Sequence, residues 1–206
     1  MSVDPDLRAV QVRHPGLREA IAADARITAA LRFERHEFRS RLDLGLQALR
    51  LMWQSDAFLA LALYRVKARL QRLGVPLLPR IAHRLAMLLG QVSIGDPVLI
   101  HPGVYLPHGQ VVIDGFAEIQ SLTIIGPFTT IGLRGGRTRG PTIESGVMIG
   151  TGAKILGEVR VGAGAQVGAN AVVVEDVAAG ATVVGSPAAP LPPPEPGSGG
   201  GYASAE

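Results

Sequence analysis

The stretch Val147–Val177, VMIGTGAKILGEVRVGAGAQVGANAVVVEDV, decides the fold. Within it Ile149, Ile155, Val161, Val167 and Val173 stand six residues apart. Upstream the spacing returns at Ile143 and, beyond an interruption at Gly132–Thr142, at Ile131, Ile125, Ile119 and Ile113. After one extra residue it continues through Leu106, Ile100 and Ile94. Two positions before each aliphatic sits a small or branched residue, such as Val98, Val104, Ala117, Thr123, Thr129, Ala153 or Ala165. Gly often follows, as at Gly95, Gly126, Gly132, Gly150, Gly162 and Gly168. An α-helix repeats at 3.6 and a half-buried strand at two; neither repeats at six. One short strand plus one tight turn does. Three such units close a triangular coil with the aliphatic inside, the small residue near the corner, and Gly or Asn tolerating the turn. Coils then stack in parallel, each strand pairing above and below. The repeats suffice for about four coils, with the loop Gly132–Thr142 extruded.

Outward from the repeats the pattern changes. Residues 1–90 read as a helical domain, 91–186 as the repeat domain, and 187–206, rich in Pro, Gly and Ser, as a disordered extension. The class is α+β in sequence and mainly β. A helix is expected over Leu17–Phe33. Arg39–Trp53, with Leu42, Leu44, Leu46, Leu49 and Met52 among charges, reads as an amphipathic helix. Ser55 suits the N-cap of a helix over Ala57–Leu73, with Gly74 as its stop. Pro79 opens a short helix to Leu89 that Gly90 closes.

Composition narrows the function classes. There is no Cys, so no disulfide framework and no thiolate metal site, which fits a reducing cytoplasm. Met1–Arg8 has no apolar signal region, and the longest apolar run, Ala57–Tyr64, is far short of the ~20 residues a spanning helix needs. Residues 1–90 hold 15 Arg/Lys and 8 Asp/Glu, while residues 91–206 hold 5 and 9. The basic excess is spread along helices and reads mainly as solvated surface, with nucleic-acid or lipid binding as the lesser alternative.

At ALALYRVKARLQ (Ala60–Gln71), the repeat segment quoted above and ATVVGSPA (Ala181–Ala188), the sequence resembles the hexapeptide-repeat acyltransferases, and within them the bacterial serine O-acetyltransferases. The resemblance implies a left-handed β-helix and acetyl-CoA as co-substrate. It implies a homotrimer, with a hexamer of two trimers as a further option. It makes L-serine the acceptor, in cysteine biosynthesis. QVSIGDPVLIHPGVYLPH (Gln91–His108) matches the family stretch that ends in its catalytic histidine, so His108 inherits the general-base role. It also sits where the hexad gains a residue, which lets a side chain leave the lattice. Ser93 stands where the family has the aspartate that orients this histidine, Pro107 replaces a second aspartate, and Gly140 replaces a second histidine beside the retained Arg139. Asp114 or Glu118 is a candidate substitute for the missing carboxylate.

In the interrupting loop, Arg134, Arg137 and Arg139 offer charge to a carboxylate or phosphate. Gly132, Thr151, Lys154 and Ala169 occupy positions that the resemblance assigns to CoA. Four readings stay open. The first is serine acetylation. The second is acetylation of another hydroxyl, on a sugar or polysaccharide precursor. The third is a metal enzyme of the same fold, like the γ-class carbonic anhydrases, for which His101 and His108 are too few ligands. The fourth is a non-catalytic homologue.

Overall fold

The computed structural model describes residues 5–135 and 138–190. Arg137 and the chain beyond Pro190 lie outside the described residues. Five helices precede the strands: α1 (Pro5–Arg13), α2 (Leu17–Leu31), α3 (Arg41–Gln54), α4 (Asp56–Arg72) and α5 (Leu78–Gly90). α1 has no counterpart in the sequence expectations. Ser55 caps α4 by accepting from the Phe58 N–H, and Gly74 adopts φ +69 just beyond its end. Gly90, expected to close α5, is instead its last helical residue, and Gln91 takes the left-handed conformation. Gly90 is glycine for proximity: a Cβ there would lie 2.5 Å from the Asp56 carbonyl oxygen and 2.6 Å from the Ala60 Cβ. α5 thus packs on α4 at close range through Pro79, Ala82, Ala86 and Gly90.

The strands form a parallel β-helix with three faces. Face A stacks β1 (Val92–Ile94), β3 (Val111–Ile113), β6 (Thr130–Gly132), β9 (Lys154–Leu156) and β12 (Val172–Val173). Face B stacks β2 (Leu99–Ile100), β4 (Phe116–Ile119), β7 (Arg139–Ile143) and β10 (Arg160–Val161). Face C stacks β5 (Ile124–Ile125), β8 (Met148–Ile149), β11 (Gln166–Val167) and β13 (Thr182–Val184). β14 (Ala189–Pro190) then pairs antiparallel with β13, so the chain past 186 begins by folding back onto the last coil. Every interior position of the hexad from Ile94 to Val173 is buried, at 2% exposure or less. Face A carries five strands, one more than the about four coils counted from sequence, because the last coil breaks the period and closes through Val177 and Val183.

Two turn assignments change. The glycines directly after the interior aliphatics serve close approach, not left-handed turns. A Cβ on Gly126 would lie 2.8 Å from the Thr151 nitrogen, and one on Gly162 2.5 Å from the Ala179 nitrogen of the next coil. The left-handed position comes later in the turn, where Leu122, Phe128 and Asn170 stand with φ of 62, 60 and 56. The extruded loop is also shorter than Gly132–Thr142, because Gly132 belongs to β6 and Arg139–Thr142 to β7.

Helices and coils meet at the first coil. Tyr64 donates to the Val98 carbonyl at 2.8 Å and accepts from the Ile100 N–H. Arg65 donates to the carbonyls of Ile100 and His101, and Lys67 to that of Ile94 at 2.6 Å. Asp24 of α2 meets Arg65 at 2.9 and 3.2 Å and accepts from the N–H groups of Gly103 and Val104. Arg65 and Asp24 side chains are each 2% exposed.

Removing one member of a buried ion pair leaves the other charge unpaired and costs about 3–5 kcal/mol. Arg65→Ala is expected to lose that much stability in urea unfolding, while Arg35→Ala, whose Asp43 partner lies at the surface, leaves the midpoint almost unchanged. His14 gives a second handle. It is 6% exposed, packs edge-on to Tyr64, and its pKa is lowered to about 4 by burial and by the nearby cations Arg65, Lys67 and Arg72. The unfolded chain takes up this proton near pH 6.5 and the folded chain does not. Stability is therefore full above 6.5 and falls as pH drops toward 4, by on the order of 3 kcal/mol from this group. Urea midpoints measured between pH 7 and 4 should show a shallower decline in His14→Gln.

Candidate active site

His108 ends the first coil at the corner between faces C and A. It is exposed and lines a cleft of about 330 Å³ with Asp56, Leu89, Gln91, Gln110, Pro127 and Phe128. The corner is held by the end of α5. Gln110 donates to the Gln91 carbonyl at 2.8 Å, and both residues are left-handed. Gly109 approaches the backbone so closely that a Cβ would lie 1.9 Å from the Gly90 carbonyl oxygen. α5 thus fixes the place of the imidazole.

The residues expected to orient His108 are elsewhere. Ser93 lies mid-strand on face A, in register with Val112. Asp114 follows β3 at the opposite corner, between faces A and B, where its Oδ1 accepts from the Gly115 N–H. Glu118 projects from face B and holds His101 Nε2 at 2.8 Å and Arg13 at 2.6 and 2.7 Å. Burial raises its carboxyl, but the hydrogen bonds from Arg13 and His101 outweigh this and keep it below the ordinary range. No hydrogen bond or ion pair joins His108 to Ser93, Asp114 or Glu118. Sequence reasoning could not separate these carboxylates, because a turn of the coil places each on a different side of the prism.

The cofactor candidates divide in the same way. Thr151, Lys154 and Ala169 fall at the C-to-A corner in successive coils below His108. The Asn170 N–H donates to the Thr151 carbonyl at 2.9 Å, and Lys154 Nζ donates to the Phe128 carbonyl at 2.6 Å. Gly132, Arg134 and Arg139 lie at the A-to-B corner. Arg134 reaches the Val174 carbonyl at 3.3 Å, and Arg139 stands 3.6 Å from Glu158. Arg139 and Gly140 line a second cleft, of about 350 Å³, beneath α1. Gly140 is buried, and a Cβ there would lie 3.1 Å from both the nitrogen and Cβ of Ala117.

The sequence reading missed Phe128. It is 56% exposed, left-handed, and on the wall of the His108 cleft. A bulky side chain in this conformation is costly and uncommon, and such positions concentrate at functional sites. Its signal was the absence of Gly at a turn position where other coils have Gly152 or Gly164.

Comparison with known proteins bears on these residues. Residues 140–174 match the family of bacterial transferase hexapeptides (six repeats). A serine acetyltransferase of Salmonella typhimurium is 33% identical over 199 residues, covering 89% of this chain and 68% of the relative. One of Synechococcus elongatus is 35% identical over 133 residues, covering 63% of this chain and 54% of the relative. The match thus spans little more than half of that relative's length. A solved serine acetyltransferase in complex with CoA superposes with a TM-score of 0.70 at 26% identity, over 90% of this chain and 73% of that one.

The contact under His108 is testable through stability. Gly109→Ala forces a methyl into the Gly90 carbonyl and should cost about 1–3 kcal/mol in urea unfolding. Gly45→Ala, in a helix with nothing within 4 Å of the new methyl, should instead gain up to about 1 kcal/mol.

Proposed function

We propose that this chain, which belongs to the serine acetyltransferase family, moves the acetyl group of acetyl-CoA to the hydroxyl of L-serine with His108 as general base. The observation that carries this is the placement of His108. It is an exposed imidazole without a hydrogen-bond or ion-pair partner among the described residues, at an added residue of the lattice, above the exposed corner residues Thr151 and Ala169 of later coils. An extended pantetheine arm suits such a run, with Thr151 and Ala169 contributing backbone and Lys154 meeting a CoA phosphate. His108 takes the hydroxyl proton as the oxygen attacks the thioester carbonyl. The tetrahedral oxyanion then collapses, the CoA thiolate leaves, and the imidazolium returns the proton to it.

His108 precedes face A, and Arg134 and Arg139 follow it, so within one chain they flank opposite sides of that face. A neighbouring copy that presents its A-to-B corner to this chain's C-to-A corner unites them. We accordingly read the protein as a cytoplasmic homotrimer of left-handed β-helices, with Arg134 and Arg139 facing the acceptor of the next subunit. Ser93 and Asp114 then stand outside hydrogen-bond reach of their own chain's His108, and any part they take depends on the neighbour.

A second reading, acetylation of a different hydroxyl such as that of a sugar, is favoured by Gly140. Glycine supplies no imidazole where the family has one, and a Cβ there would press on Ala117 at 3.1 Å.

The test is CoA release from acetyl-CoA with L-serine, followed by thiol titration. Serine-dependent release is expected, and His108→Ala should lower it by about 10²–10⁴-fold. Acetyl-CoA binding without serine turnover would move the assignment to another acceptor. Absence of acetyl-CoA binding would reject an acetyltransferase altogether.

A further inference from the structure

α5 is built inside out. Its buried strip consists of the small residues Pro79, Ala82, Ala86 and Gly90. Its large apolar residues Leu78, Ile81, Leu85 and Leu88 form an outward strip, with Leu88 76% exposed and Leu78 and Ile81 49% and 46%, while Leu89 belongs to the wall of the His108 cleft. Arg80, His83 and Arg84 form a third strip beside it. They line a cleft of about 390 Å³ with Gln71, Gly95 and Asp96. Asp96 is engaged by Lys67 at 3.0 Å, and neither Arg80 nor Arg84 pairs with a carboxylate among the described residues. Leu73 and Leu77, 57% and 66% exposed, extend the apolar surface past the start of the helix.

We propose that this face of α5 docks on an anionic lipid bilayer, lying in the plane of the interface. A helix with an apolar strip bordered by arginines suits that boundary: the leucines enter the acyl region while the guanidinium groups reach headgroup phosphates. Charge selects the occupant. Arg80 and Arg84 are the cations of this face, since Arg65 and Lys67 of α4 are buried and engaged by Asp24 and Asp96, and no Asp or Glu lies between Asp56 and Asp96. A second copy of this face would therefore set Arg80 and Arg84 against their own kind, whereas a bilayer supplies the missing phosphates. The attachment is peripheral, since no helix among the described residues is long and apolar enough to cross a membrane. The basic excess of the helical half, read from sequence mainly as solvated surface, thus has one region where cations border exposed leucines.

The test is sedimentation of the full chain with phosphatidylcholine vesicles, with and without phosphatidylglycerol. Binding to the anionic vesicles alone, weakening as salt rises, is expected. Leu88→Glu, and Arg80→Glu combined with Arg84→Glu, should each bind at least about tenfold more weakly, with circular dichroism and light-scattering mass unchanged. Failure of the wild-type chain to bind anionic vesicles would overturn the proposal. So would a lower mass for Leu88→Glu, because the face would then be covered by another copy of the chain. The salt titration of the wild type reads the same charge dependence without any variant.

Discussion

The first coil of a β-helix has no coil above it, so the carbonyls its strands turn upward must find donors elsewhere. Left dry and unpaired, each would cost a few kcal/mol. Here the carbonyls of Ile94, Val98, Ile100 and His101 are met by Lys67, Tyr64 and Arg65, all from one turn of α4. Two of these donors are cations, and charge-assisted hydrogen bonds offset part of the desolvation of burying them. Asp24 neutralises Arg65 and also takes two N–H groups of the same coil. The other end is closed differently: β14 folds back along β13 and the Ala188 N–H donates to the Val172 carbonyl.

This closure reaches the chemistry. With α4 fixed on the coil, α5 is fixed on α4 by the Gly90 contact with Asp56 and Ala60. The end of α5 in turn holds Gly109 and Gln110, and with them His108. The helical half is therefore the support that places the His108 corner, and a substitution at Ala60 or Gly90 acts on that corner.

The period of six made the architecture legible, because one short strand plus one tight turn repeats at that spacing and neither an α-helix nor a half-buried strand does. Ser55 and Gly74 were legible because caps depend on local chemistry alone. The faces of the helices were not. Leu42, Leu46, Leu49 and Trp53 of α3 are exposed, while Gln47, Ala48 and Leu51 are buried. Periodicity locates an apolar strip but does not say whether the helix packs through it or through its small residues. The partner of Glu118 was equally hidden. His101 is 17 positions away along the chain, brought opposite by a full coil, and Arg13 arrives from a helix that no sequence pattern announced. The six-residue rule assigns a side chain to inside or outside and leaves the choice among three outer faces to the count of turns, which the interruption after Gly132 disturbs.

That count bears on what the active site can be. In the Ser-His-Asp arrangement a carboxylate fixes the imidazole tautomer and stabilises the imidazolium, and its loss as an isosteric amide costs about 10⁴ in turnover. His108 has no such group among the described residues, and its surroundings are an exposed cleft wall. Two routes to a working base remain. A carboxylate of a neighbouring copy can approach at the C-to-A corner, or the imidazole can act unassisted, with rate supplied by positioning through Gly109 and by donors to the oxyanion. The routes differ in their dependence on assembly: the first requires the neighbour for chemistry, the second only for binding. A dilution series that separates kcat from KM distinguishes them. Subunit dissociation abolishes turnover on the first route and raises KM on the second.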